Sequence, residues 1–221
     1  MVPQGSHAGE SPAGLNLDLN GVESSYRSSH LGSLLYGLVR SHAPRLVVEL
    51  GTYHGYAALH FAAALRDNMN PHSRLHLIDL WNSYPYRHCS METTQDNFAR
   101  NNLLDLPHCE VSFKEGDAFQ SSSDYKDGTI DLLHIDVSNT GDKLKQLLEL
   151  WAPKMTPTPN ALIIVEGGSK ERDEVAWMVE HQMSPIQGLL SSQWLTERFS
   201  YFCFQPFPSL CVLRCRNDSA A

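Results

Sequence analysis

Glu49-Leu50-Gly51-Thr52-Tyr53-His54-Gly55-Tyr56-Ala57 joins a short apolar run, Leu46 to Leu50, to a stretch of helical spacing from about Tyr56 to Arg66. A strand, a glycine-bearing turn and a helix in that order make the first half of a crossover unit. Gly51 lets the backbone turn tightly, and Gly55 lets a ligand come close to the start of the helix, where free amide groups point outward. The pair of glycines therefore reads as a nucleotide-type ligand loop, with an ordinary tight turn as the competing explanation.

The same alternation continues on both sides of this stretch. Upstream, Leu31, Leu34, Leu35 and Leu38 recur at helical spacing and are closed by His42 to Pro44, marking an amphipathic helix. Downstream, strands are expected at Arg74 to Ile78, Glu110 to Lys114, Ile130 to Ile135 and Ala161 to Val165. Helices are expected at Glu92 to Leu104, through Leu144, Leu147, Leu148 and Trp151, and at Glu171 to Gln182. Strands separated by helices need crossovers, hence a parallel α/β sheet with helices on both faces. The ending differs, because Phe199 to Phe204 and Ser209 to Arg216 are joined only by Gln205 to Pro208, too short for a crossover, so this last pair is expected to be antiparallel.

A chain of 221 residues with 42% hydrophobic content has material for one large core, so residues 21–221 are read as a single domain with an N-terminal helix. Residues 1–20 are read as a flexible segment, and Val2 to His7 resembles a vector-derived remnant. A formal charge of -8 has the wrong sign for neutralising phosphates, so neither nucleic acid nor an anionic membrane surface is an expected partner. No apolar run approaches the roughly 20 residues that span a bilayer, and no secretory signal is seen, which places the chain in the cytoplasm. Cys89, Cys109, Cys203, Cys211 and Cys215 show no metal-site spacing. They are expected to be reduced and buried, with a Cys203–Cys211 approach across the terminal hairpin as the lesser alternative.

In open parallel sheets the ligand lies beyond the carboxyl ends of the strands. Asp79 ends the second strand 28 residues beyond Gly51, a spacing at which a carboxylate can take both hydroxyls of a ribose; its competing role is a turn cap. Gly116-Asp117-Ala118 follows the third strand and is suited to hold an adenine amino group.

With these three corners in order, the sequence resembles the class I S-adenosylmethionine-dependent methyltransferases. Glu49 to Tyr56 looks especially like the glycine loop of small-molecule O-methyltransferases of the catechol and caffeoyl-CoA type and of related bacterial families. The resemblance covers about residues 45 to 215. It implies a doubly wound, Rossmann-like sheet of seven mostly parallel strands with an antiparallel C-terminal strand. It also implies S-adenosylmethionine as cofactor, with Glu49, Gly51 and Gly55 around the methionine portion, Asp79 at the ribose, and Asp117 with Ala118 at the adenine. Tyr53, Leu80 and Asp136 complete the expected cofactor-facing set. The acceptor implied is a small molecule, methylated at a hydroxyl oxygen, and a homodimer is allowed for. A nicotinamide-dependent oxidoreductase fits less well, since Glu49 stands where a pyrophosphate loop would carry glycine. A non-catalytic binder of S-adenosylmethionine is the third reading.

Asp136 and Glu166 end the fourth and fifth strands, and in catechol-type enzymes acids at these strand ends hold a divalent ion such as Mg²⁺. Here Gly167 stands where that family has asparagine, and Asn139 where the catechol enzymes have lysine. Asp136, His54 and Asn139 are the expected catalytic residues, with His134 a further candidate base. Trp81, Tyr84, Tyr86 and His88 are read as an acceptor wall, a shield for the adenine or core packing. Tyr26, Ser28, Ser29 and His30 are read as a lid, and Ser169 as a helix cap.

Overall fold

The computed structural model describes residues 15–137, 140–205 and 207–216. Leu46–Leu50 forms β1 and is buried along its whole length. A strand covered on both faces needs no polar alternation, which is why Val47 and Val48 are both interior. The other strands are β2 (Ser73–Asp79), β3 (Cys109–Glu115), β4 (Leu132–Ile135), β5 (Leu162–Glu166), β6 (Phe199–Phe204) and β7 (Leu210–Cys215). They make one sheet in the order β3-β2-β1-β4-β5-β7-β6. Strands β1 to β5 pair in parallel, and β7 lies between β5 and β6, antiparallel to both. The strand order reverses between β1 and β4, where Leu50 sits opposite Ile135, so the ligand crevice of such a sheet opens there.

The helices are α1 (Leu31–His42), α2 (Tyr56–Asn68), α3 (Met91–Arg100), α4 (Gly141–Trp151), α5 (Lys170–Asp173), α6 (Ala176–Glu180), α7 (Ile186–Leu190) and α8 (Gln193–Arg198). Alternation along β1 sends Val47 to a core shared with Leu35 and Val39 of α1 and Leu59 and Phe61 of α2. Val48 and Leu50 join the opposite core, filled by Leu144, Leu147, Leu148 and Trp151 of α4. Each such leucine contributes roughly 1.5–3 kcal/mol by leaving water, so the helical stripe in α4 is a strong determinant of which face it covers. Among the described residues no helix is long and apolar enough to cross a membrane.

Three expectations change, and one segment carries helices that were not expected. The helix expected over 171–182 is broken into α5 and α6, because Val175 is extended and caps α6. The segment before the terminal hairpin carries two short helices, α7 and α8, that no clear apolar period announces; the Ser192 hydroxyl caps α8. The helix after Ser90 stops at Arg100, with Asn102 in the left-handed region. Finally, the hairpin register sets Cys203 opposite Cys211, and the two form a disulfide rather than the expected reduced pair, while Cys89, Cys109 and Cys215 are free thiols.

Candidate active site

Four strand ends converge on one cavity of about 380 Å³. At the end of β1, Gly51 has φ +83°, and a Cβ there would run into the carbonyl oxygen of Asp136. Glycine is required at this point by both the dihedral and the closeness of β4. Gly51 N–H donates to Ile78 O at 2.9 Å, tying the turn to β2. Gly55 serves differently from its expected place at the ligand: it starts α2 with φ +83° and faces α3, where a Cβ would lie 2.9 Å from Thr94 Cγ2. It does not line the cavity.

The Asp79 carboxylate organises the turn. Oδ2 accepts from the amides of Thr52 at 2.7 Å and Tyr53 at 2.9 Å, and Oδ1 accepts from Trp81 N–H at 2.8 Å. It thus performs the cap role and still lines the cavity, because a carboxylate has about four acceptor directions and three are used. At β3, Asp117 Oδ1 accepts from Phe119 N–H at 2.9 Å, and Ala118 O accepts from Trp151 Nε1 at 2.8 Å, holding that corner onto α4.

Beneath the cavity floor runs a buried polar chain. Glu49 Oε1 is 2.9 Å from His134 Nδ1, and His134 Nε2 is 3.3 Å from the Tyr26 hydroxyl. Burial first, then the negative charge of Asp136, raises the Glu49 pKa well above the carboxylate range. Burial pushes His134 down to about 4, against the pull of Asp136. Tyr26 is raised well above its usual value, by burial and then by Asp136, to which its side chain is also hydrogen-bonded. One assignment of protons is consistent with each contact along the chain: Glu49 O–H donates to His134 Nδ1, His134 Nε2–H donates to Tyr26, and Tyr26 O–H donates to Asp136. Glu49 Oε2 and Thr52 Oγ1 are buried with no hydrogen-bond partner among the described residues.

The cavity is acidic. Glu23, Glu49, Asp79, Asp117 and Asp136 line it, against Arg87 and His88. Arg87 is itself engaged: its Nη2 pairs with Glu23, and its Nε donates to the Tyr53 hydroxyl at 2.8 Å, which in turn donates to Glu23 at 3.0 Å. This triad closes three segments over the site, the N-terminal stretch, the glycine loop and the loop after β2.

Of the residues expected at the cofactor, Glu49, Gly51, Tyr53, Asp79, Leu80, Asp117, Ala118 and Asp136 all line this cavity. The expected catalytic residues are dispersed. Asp136 lies on the cavity, whereas His54 stands outside it, its ring edge-on to Tyr53 at 4.3 Å and its Nδ1 buried without a partner among the described residues. Asn139 lies outside the described residues.

The metal expectation meets an obstacle at Glu166. Its buried carboxylate is held by Arg172, whose Nε lies 2.9 Å from Oε1 and 3.2 Å from Oε2. Its pKa is pushed up to about 7 by burial and then by Asp136, with Arg172 pulling it back. No group of three His, Cys, Asp or Glu able to hold a metal ion exists among the described residues. With both Glu166 oxygens engaged by Arg172, Asp136 and Glu166 as arranged do not fit the divalent ion.

In the loop after β2, Trp81 is turned inward, donating to Lys114 O at 3.1 Å and packing near Phe113, because Asp79 caps its amide. Tyr84 and His88 line the cavity, and Tyr86 points to solvent. Of the residues expected as a lid only Tyr26 lines the cavity, and it does so as part of the buried chain rather than as a cover; Glu23, Ser24 and Ser25, which the sequence reading missed, line it as well. Arg172 was also missed; its one signal is a basic residue shortly after the Gly167-Gly168 turn.

A family model described as a methyltransferase domain matches residues 48–166, more than half of the chain. No curated protein matches the sequence. Among solved structures, the chain is similar to the O-methyltransferase from Bacillus cereus in complex with SAH, with a TM-score of 0.63 and 18% identity, covering 89% of this chain and 86% of that one. It is similar to the O-methyltransferase from Streptomyces achromogenes involved in tomaymycin synthesis, in complex with SAM, with a TM-score of 0.61 and 18% identity over 90% of this chain and 89% of that one. A methyltransferase from Geobacter sulfurreducens gives a TM-score of 0.57 and 22% identity over 90% and 93%.

Proposed function

The chain belongs to the methyltransferase-domain family, and from this premise we propose that it transfers a methyl group from S-adenosylmethionine to a hydroxyl oxygen of a small-molecule acceptor. The observation that carries the reading is the convergence of Glu49, Asp79, Asp117 and Asp136, one from each of four neighbouring strand ends, on a single cavity. Relatives of this fold have been crystallised with SAH or SAM. The buried Glu49 Oε2 and Thr52 Oγ1 are oxygens suited to an ammonium group, Asp79 keeps a carboxylate acceptor direction for a ribose, and Gly51 lets the glycine loop pack directly on the backbone of Asp136.

When bound, S-adenosylmethionine supplies a methyl group already activated on a sulfonium. The chain's own residues then have three tasks. The acidic lining favours a cationic ligand and disfavours polyanions such as nucleic acid. The Glu23–Arg87–Tyr53 contact ties three cavity-lining segments together, and holding the acceptor in position is the chief contribution such a site would make to the rate. Asp136, oriented by Tyr26, is the group on the cavity best placed to hold the acceptor proton. A cavity of about 380 Å³ is in the range of small-ligand sites, as a nucleoside-sized cofactor requires.

Calorimetric titration of the full chain with S-adenosylhomocysteine and, separately, with NAD tests the reading. Binding of the former alone is the expected result. Binding of NAD alone would replace the methyltransferase reading with the oxidoreductase one.

A further inference from the structure

We propose that the Arg172 guanidinium takes the place of a divalent cation at the edge formed by β4 and β5, so that this chain holds its site without a metal ion. The inference uses the methyltransferase reading only to say where an ion would otherwise sit; the contacts themselves belong to the fold.

Two carboxylates, Asp136 and Glu166, end neighbouring strands and act on each other electrostatically. Such a pair needs a cation or a shared proton. Arg172 Nε reaches both oxygens of Glu166, and the guanidinium is buried against the Trp177 ring, 5.3 Å from its centroid. Arg172 Nη1 is also buried, with no hydrogen-bond partner among the described residues. Positive charge is therefore already present beside Glu166, and an incoming divalent ion would meet both a filled carboxylate and a like charge.

The backbone commits to this arrangement. Gly167 and Gly168 adopt φ +107° and +103°, turning the chain back after β5. Ser169 then caps α5, and Asp173 accepts from the amides of Ile186 at 2.8 Å and Gln187 at 2.9 Å, anchoring the short helix that carries Arg172. A side chain at position 167 would have to adopt a left-handed backbone, and its Cβ would lie 2.7 Å from Ile186 Cδ1 and 3.5 Å from Arg172 Cγ. An asparagine at this position would need a left-handed backbone and displacement of Ile186, so the turn that carries Arg172 back to Glu166 favours glycine here.

The test is Mn²⁺ uptake by the full chain, read by the loss of the free-ion electron paramagnetic signal, with and without S-adenosylhomocysteine. The wild type should take up no ion that Glu166→Gln abolishes, whereas Arg172→Met should gain one Mn²⁺ per chain and rise in melting temperature when it is added. If Arg172→Met does not fold in metal-free buffer, refolding it with Mn²⁺ asks the same question, and recovery of the folded signal is expected. Wild-type uptake abolished by Glu166→Gln would overturn the proposal. So would an Arg172→Met variant that is indifferent to Mn²⁺ in both settings. Failure of S-adenosylhomocysteine to bind would instead count against the methyltransferase reading and leave the Mn²⁺ result to decide the role of Arg172.

Discussion

The imidazole Nδ1 of His134 stands 2.9 Å from Glu49 Oε1 with both side chains sealed from solvent. Taken by distance alone the pair is a salt bridge, yet burial pushes His134 down to about 4 and raises Glu49, so a neutral pair sharing one proton is the stable form. An unfolded imidazole binds a proton below about 6.5, and the folded one only near 4, so the unfolded state binds more protons across that window. Stability from this group therefore falls as pH falls. Glu49, with its folded pKa raised, works in the opposite direction and loses stability as pH rises. Urea denaturation of the wild type and His134→Gln should show their stability gap narrowing by about 1 kcal/mol per pH unit between pH 6 and 4.5. A gap independent of pH would mean that His134 is charged in the fold.

Asp79 is the next pressure point, because it accepts three backbone amides and faces the cavity. Asp79→Ala leaves Thr52, Tyr53 and Trp81 without that acceptor and deprives a ribose of its partner. Hydrogen bonds to a charged group contribute roughly 1.5–3 kcal/mol, so S-adenosylhomocysteine affinity should drop about 10- to 100-fold, read by calorimetry. Unchanged affinity would confine Asp79 to the turn.

For Asp136 the expected pattern is the reverse. Asp136→Ala should leave S-adenosylhomocysteine affinity within a few-fold of wild type and abolish methyl transfer, measured by release of that product with an acceptor found by screening. Retained transfer would remove Asp136 from the acceptor proton.

The parts of this molecule legible in the sequence are those set by short-range rules. Leu46 to Leu50, Gly51 and the Asp79 corner each carry a local signal, and parallel strands oblige the corners to meet. The α4 stripe was equally plain. What the sequence concealed depends on contacts across long separations. His54 sits inside the glycine loop, but its ring turns onto Tyr53, which no spacing reveals. Tyr26 reaches His134 over 108 residues. At Glu166 the sequence suggests a metal ligand, because an acid at a strand end looks the same with or without a guanidinium folded against it. The break between α5 and α6 at the extended Val175 is accompanied by Asp173 accepting from two α7 amides, a long-range contact that helical spacing does not reveal.

The hairpin that sets Cys203 against Cys211 offers a stability test. Closing a loop with sequence separation 8 removes chain entropy worth about 2.5 kcal/mol from the unfolded state. Dithiothreitol, or Cys203→Ala with Cys211→Ala, should lower the urea midpoint correspondingly. Reductant should have no effect on the double variant, and an equal effect there would assign the loss to another cause.

Gly51→Ala tests whether the ligand loop and the β4 strand end are one unit. Alanine at φ +83° is strained, and its methyl group would occupy the space of the Asp136 carbonyl oxygen, a rigid backbone atom that cannot swing aside. The two segments must then part, moving Asp136 away from Tyr26 and loosening the Asp79 bonds to Thr52 and Tyr53. The cost in stability should be about 1–3 kcal/mol, as for other strained sites, and S-adenosylhomocysteine affinity should fall with it. Gly37→Ala is the comparison, since that glycine lies within α1 and a Cβ there meets nothing within 4 Å. It should stabilise the chain by a few tenths to about 1 kcal/mol and leave affinity untouched. Thermal unfolding and calorimetry on both variants would separate the outcomes. A Gly51→Ala protein that melts and binds like the wild type would show that the turn does not need glycine and that the β1 and β4 ends are not in the tight contact on which the cavity depends.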